Sequence, residues 1–284
     1  MATLREIKNR IESVKSTQQI TKAMKMVAAA KLRKTQNSLE KVRPYAGALH
    51  HIVSRLGQLQ VNKDHPYFVP NDSEKTLYVL ITSDRGLCGS FNTNLIKSTT
   101  AELTKASGEI KLAAIGRKGF DYFHRRHYPV VAKYVDFFNK VTFTDAKKIA
   151  DYLASSFEQK KFARIFIIYN EFQSILHQNI VIKQFLPIVP TPVAEDEEKH
   201  FLFEPHPRQM LDDLVPEMLH YSMNLILLES FCAEQGARMT AMETASDNAN
   251  DMIKSLVLYY NKARQATITK ELNEIVSGAE ALRG

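Results

Sequence analysis

Residues 3–34 read TLREIKNRIESVKSTQQITKAMKMVAAAKLRK, and this stretch decides the architecture. Thr3 and Glu6 form a capping box: each side chain can satisfy the other residue's free backbone N–H, so a helix starts here. Behind it Leu4, Ile7, Ile11 and Val14 recur at steps of three and four. Gln18 takes the next position, and Met24 and Val27 resume the stripe nearby. The apolar face is a narrow seam, the kind a helix buries against one other helix. The first 56 residues hold one proline, Pro44, and one glycine, Gly47. A helix of that length spans roughly 80 Å. Pro44 marks the place where it would kink or break.

The far end of the chain repeats the pattern. After Pro216 there is no proline, and the only glycines are Gly236, Gly278 and Gly284. Met218, Tyr221, Leu225, Leu228 and Cys232 step by three and four, and Met239, Met242, Ala249, Ile253, Leu256, Tyr260 and Ala263 continue the stripe. About sixty helical residues span roughly 90 Å, against a mean globular helix of about three turns. Two such helices fit a coiled coil better than a compact bundle. Charge favours pairing them. Residues 1–56 carry 12 basic and 3 acidic side chains, whereas residues 208–284 carry 7 basic and 11 acidic. The chain returns only after the whole middle segment, so the pair is antiparallel with residues 57–207 inserted at one end. The helix of residues 208–284 is the longer of the two. Its last turns are therefore expected to project and to leave Ile268, Leu272, Ile275 and Val276 in need of a partner.

The middle alternates short β-branched runs with helical patterns. Thr76–Ser83, Ile110–Gly116, Ala163–Tyr169 and the more polar Asn179–Phe185 read as strands. Residues 91–106, 117–127 and 144–160 read as helices. Such alternation predicts a mainly parallel sheet covered by helices. The acidic run EDEEK and the following HFLFEPHPRQ, around 200–209, read as the link back to the coil.

Composition closes off several classes. The 284 residues are 44% apolar and 24% charged, enough for a real core. Ten glycines and ten prolines are too few for an all-β barrel or sandwich. Two cysteines, Cys88 and Cys232, exclude a disulfide scaffold and suit a reducing compartment. No run of 18 apolar residues is present to span a membrane, and MATLREIKNR lacks the apolar core of a secretory signal.

The most suggestive loop is SDRGLCGSFN at 83–92, placed between a strand and a helix where open α/β sheets bind phosphates. It has neither the Gly-Lys-Ser/Thr of a P-loop nor the three-glycine dinucleotide fingerprint. Nucleotide binding by an α/β enzyme through this loop is the alternative reading of the chain. Asp84 and Arg85 could pair locally or meet a partner. Cys88 sits in the loop, where it could be exposed, and Cys232 sits in the seam as a small hydrophobe. The histidines show no metal-ligand spacing. Arg33, Lys34, Lys41 and Arg43 cluster on the first helix, but no tryptophan or interleaved aromatic offers a stacking platform for nucleic acid. No cofactor site, no metal site and no nucleic-acid partner is expected.

Three segments carry a family resemblance: IKNRIESVKSTQQITKAMKMVAAAKLRK, ITSDRGLCGSFN, and ARMTAMETASDNANDMIKSLVLYYNKARQATITKELNEIVSGAEAL. They resemble, in order and across the full chain, the gamma subunits of F-type ATP synthases. The resemblance implies a Rossmann-like α/β domain inserted between the helices of an antiparallel coiled-coil shaft. It implies a non-catalytic central-stalk rotor that couples ion-driven rotation of a ring of c subunits to ATP synthesis or hydrolysis at the beta subunits. The implied partners are the alpha and beta subunits of the catalytic hexamer, the epsilon subunit and the c-ring, with membrane association through the complex only. By position, Met24 and Lys25 match a contact with an acidic lever of the beta subunit. Arg264, Gln265 and Thr269 match a polar cluster that also engages beta, and Arg238, counted with them among the beta contacts, supports that region of the coil. Phe201, where a tyrosine is expected, and Glu204 match positions near the c-ring and epsilon. A bacterial chain at the cytoplasmic face of the inner membrane fits the lack of a leader and of any regulatory cysteine pair.

Overall fold

The computed structural model describes residues 3–59, 64–136, 141–175, 178–190, 204 and 206–281. The elements in chain order are α1 (Leu4–Gln58), β1 (Lys75–Ile81), α2 (Phe91–Lys105), β2 (Glu109–Ile115), α3 (Arg117–His124), β3 (Val130–Tyr134), α4 (Phe143–Glu158), β4 (Arg164–Phe172), β5 (Gln178–Leu186) and α5 (Pro207–Ala281). They fall into two units, Met1–Val27 with Met239–Gly284 and Ala28–Arg238. Helices α1 and α5 each contribute to both.

In the first unit the capping box forms as its sequence requires. Thr3 N donates to Glu6 Oε2 at 2.8 Å, and Glu6 N donates to Thr3 Oγ1 at 3.3 Å. The buried side of α1 then runs Ile7, Ile11, Val14, Gln18, Thr21, Lys25, with Val14, Gln18 and Lys25 half-buried. This is an unbroken alternation of four and three. Val27, read as part of the stripe, is instead 57% exposed. The seam keeps its period through Gln18, Thr21 and Lys25, whose polarity hid it. On α5 the facing residues are Met242 and Ala249, both buried, then Ile253, Leu256, Tyr260 and Ala263, all half-buried. Lys25 Nζ meets Glu243 Oε1 at 2.6 Å.

The second unit is built on a five-stranded sheet of order β3-β2-β1-β4-β5. β1, β2, β3 and β4 are parallel to their neighbours and β5 runs antiparallel to β4. β1 is buried on both faces, as a central parallel strand must be. Leu77, Val79 and Ile81 face a core shared with α4, with Leu49, Val53 and Leu56 of α1, and with α5 from Leu211 to Phe231. Tyr78 and Leu80 face the opposite core, shared with α2, α3, Leu32 and Leu39 of α1, and Leu228 to Ala233 of α5. The α1 seam continues here as Ala28, Leu32, Thr35, Leu39, Ala46, Leu49, Val53 and Leu56, all buried. Gly116, at φ +93°, permits the turn into α3, because a Cβ there would stand 2.0 Å from Thr82 O.

Three sequence expectations change. Pro44 lies inside α1 and does not end it. α5 begins at Pro207, within a residue of the expected 208, and Pro216 is internal to it. Proline at the first helical position costs no hydrogen bond, and Leu211, Val215 and Leu219 behind it are buried in the core. β3 was not foreseen: VVAKY follows Pro129 and is a short edge strand with a half-buried pattern. Cys88 is buried at 2%, although its loop suggested exposure. The acidic run around 195–199 lies outside the described residues.

Candidate functional site

The loop after β1 is closed by its own residues. Asn92 Nδ2 donates to Ser83 Oγ at 2.7 Å and to Cys88 Sγ at 3.2 Å, while Ser83 N donates to Asn92 Oδ1 at 3.0 Å. Ser83 Oγ donates to Arg85 O at 2.6 Å. Asp84 Oδ1 accepts from Arg117 N and Asp136 N at 3.0 and 3.1 Å. At the start of α3, Lys118 N donates to Ser83 O and Gly119 N to Thr82 Oγ1. Ser83 N and the first amides of α3 are thus engaged within the protein. Burial pushes the Cys88 thiol up, against a thiolate nucleophile.

Arg238 on α5 completes the closure. Its Nη1 donates to Glu234 Oε1 at 2.6 Å, and its Nη2 reaches Arg85 O and Gly86 O at 3.4 and 3.3 Å. Both side chains are almost wholly buried. Burial raises the Glu234 carboxyl against the opposing pull of Arg238. The same loop carries an exposed apolar residue. Leu87 is 63% exposed and sits at φ +61°, a left-handed conformation costly for leucine.

The remaining sequence candidates fall in the first unit, apart from two. Met24 is half-buried and Lys25 is paired within the chain to Glu243. Arg264, Gln265 and Thr269 are exposed on α5, with Thr269 Oγ1 donating to Gln265 O at 2.9 Å. Next to them Ile268, Leu272, Ile275 and Val276 are 48%, 56%, 68% and 56% exposed. Every described side chain from Arg264 to Ala279 is exposed. Glu204 is exposed, and Phe201 lies outside the described residues. Sequence reasoning gave Arg238 a place in the coil but missed Glu234 beneath it and the exposed, left-handed Leu87. A leucine between two glycines in a bonded turn was the available signal.

Among the described residues no three His, Cys, Asp or Glu side chains gather as metal ligands, and no helix is long and apolar enough to cross a membrane.

Long paired helices, an inserted α/β domain and a projecting apolar helix end define a stalk-type subunit of a larger assembly. A family model described as ATP synthase matches residues 3–282. The ATP synthase gamma chains of Geobacter sp. (strain M21) and Prosthecochloris aestuarii are each 43% identical to the chain, over the whole of both sequences. That of Pelotomaculum thermopropionicum is 41% identical over 99% of this chain and all of its own. The chain belongs to the ATP synthase gamma chain family. Among solved structures, a chain of the central stalk and c-ring of Tetrahymena thermophila mitochondrial ATP synthase superposes with a TM-score of 0.63 at 27% identity, covering 80% of this chain and 99% of that one. A chain of Euglena gracilis mitochondrial ATP synthase shares the fold, with a TM-score of 0.69 at 20% identity over 98% and 94% of the two chains.

Proposed function

We propose that the chain is the rotating shaft of an F-type ATP synthase, non-catalytic in itself, which carries ion-driven rotation of a c-ring to the beta subunits that make or hydrolyse ATP. The observation that carries this reading is the end of α5: the facing residues stop at Ala263, yet helix continues to Ala281 with Ile268, Leu272, Ile275 and Val276 uncovered. A row of large apolar side chains on a free helix end calls for a sleeve of other subunits. A shaft without three-fold symmetry presses differently on three equivalent beta subunits. Each orientation therefore favours a different set of open and closed sites, and turning the shaft exchanges those preferences. Met24, Lys25, Arg264, Gln265 and Thr269 are the residues proposed to meet beta. Arg238 acts from within the protein, by holding the 83–92 loop. Phe201 and Glu204 are proposed to face the c-ring and the epsilon subunit. The complex holds the chain at the cytoplasmic face of a bacterial inner membrane.

Against the alternative, nucleotide chemistry at the 83–92 loop, stand the engagement of Ser83 by Asn92 and Arg85 and the buried Cys88, whose thiol is pushed up by burial. Co-expression with alpha and beta subunits tests the shaft. We expect one copy per hexamer, and ATPase activity that collapses when residues after Tyr260 are removed. A chain that elutes alone beside an indifferent hexamer would refute the proposal.

A further inference from the structure

Within residues 28–238, the segment 64–69 bridges the ends of four elements, and His65 is its knot. The His65 ring is buried at 2% exposure, stacked beside Tyr67 and edge-on to Phe68. Its two nitrogens are committed with opposite polarity. Tyr67 N donates to His65 Nδ1 at 3.3 Å, so Nδ1 carries no proton. Nε2 carries it instead and donates to Asp212 Oδ1, on the second turn of α5, at 3.1 Å. The neighbouring residues spread the grip. Ile188 N, just past β5, donates to Tyr67 O at 2.7 Å, and the Tyr67 hydroxyl donates to Glu158 at the end of α4. The Phe68 ring lies against Gly57 near the end of α1, where a Cβ would stand 2.3 Å from it.

This arrangement accepts only a neutral imidazole. A second proton must go to Nδ1, which then points a donor at the Tyr67 N–H, and the bond that turns the segment is lost. Burial also opposes the charge and holds the ring below its usual 6.5, with Arg208 of α5 adding to the effect and Asp212 pulling the other way. Asp64, next to it in the chain, is exposed, and Glu158 of α4 reaches it only through Tyr67. α1 and the end of β5 meet the segment through Gly57 and Ile188, which are uncharged. We propose that His65 makes residues 64–69 an acid-released clasp: neutral, it fastens the first turns of α5 to the ends of α1, α4 and β5, and protonated, it lets go. The open segment takes up a proton first. Closure is therefore complete above pH 6.5 and weakens as the pH falls below it, by up to about tenfold in the opening equilibrium per pH unit.

Hydrogen exchange of the full chain at about pH 7.5 and about pH 5.5, corrected for the intrinsic pH dependence of exchange, reads the clasp while carboxylates stay ionised. We expect protection of the Tyr67 and Ile188 amides to fall severalfold in acid, by up to about tenfold. Protection of Thr82 N, bonded to Ile115 O within the sheet, should stay level. Unchanged protection at Tyr67 and Ile188 overturns the proposal. An equal fall at Thr82 does so too, because the whole domain would then be unfolding. In His65→Asn the side-chain oxygen stands where Nδ1 does and accepts from Tyr67 N in the same tight turn, but it does not take up a proton. The acid response should vanish in this variant. His220, buried beside Asp151, is intact there, so a response that survives belongs elsewhere and refutes the clasp. If His65→Asn fails to fold, the native chain still decides. The His65 titration midpoint, followed by NMR of the ring protons, must lie below 6.5, and should fall further in Asp212→Asn and rise in Arg208→Gln. A native midpoint at or above 6.5, or variant shifts of the opposite sign, would overturn the assignment.

Discussion

Arg238 and Lys25 both form an ion pair of 2.6 Å within the chain, and burial separates their consequences. The Lys25 and Glu243 side chains are 36% and 50% exposed. Replacing Lys25 by alanine should cost less than about 1 kcal/mol. Arg238→Ala leaves Glu234 buried without its cation and releases two loop carbonyls. The expected loss is about 3–5 kcal/mol in denaturant unfolding, and equal losses for the two variants would contradict this account. Arg264→Ala with Gln265→Ala removes side chains that are exposed in the chain by itself. It should leave the free chain's melting temperature unchanged and lower turnover of the assembled complex. Unchanged turnover would take those residues out of the coupling role.

At the scale of elements, the end of α5 behaves as an unpaired ridge. Ile268→Asp with Ile275→Asp should barely alter the free chain, because both positions already face solvent, yet should block its incorporation into the hexamer. Normal incorporation would place the sleeve contacts elsewhere. This uncovered end was legible in the sequence, because the helix of residues 208–284 is longer than the one it pairs with. The strands β1, β2, β4 and β5 were legible too, from β-branched runs bounded by turns. What sequence could not supply was context. β3 is made by pairing to β2 rather than by its own pattern. The clamp on the 83–92 loop joins residues 152 and 153 positions apart. Spacing suggested a phosphate cradle there, and only the long-range bonds show two of its carbonyls held by Arg238.

Across the whole molecule, burial shifts several weak acids upward, and the sign of the effect on stability follows. Burial pushes the Cys232 thiol to about 12 from an ordinary 9.0, and the Tyr134 phenol to about 12 from 10.0. The unfolded chain ionises these groups first, so their contribution is intact below pH 9 and fades as the pH rises toward 12. Denaturation midpoints should therefore fall steeply across that interval. Cys232→Ala should lose less than the native chain over the same range, and a parallel fall in both would rule out the thiol as a contributor. Neither cysteine should react with iodoacetamide at pH 8 while the chain is folded, since both are buried.

The gradient of burial along α5 has a further consequence for the chain before it meets any partner. Cover is complete from Ile226 to Gly236, partial from Ile253 to Ala263 and absent beyond. Amide protons should exchange in the reverse order, fastest at the last turns, because local opening there exposes almost nothing new. A protease acting on freshly made chain would trim that end first. A surplus of the chain would thus accumulate as shortened copies that lack the ridge proposed to meet other subunits, and degradation would itself keep unassembled copies out of the complex.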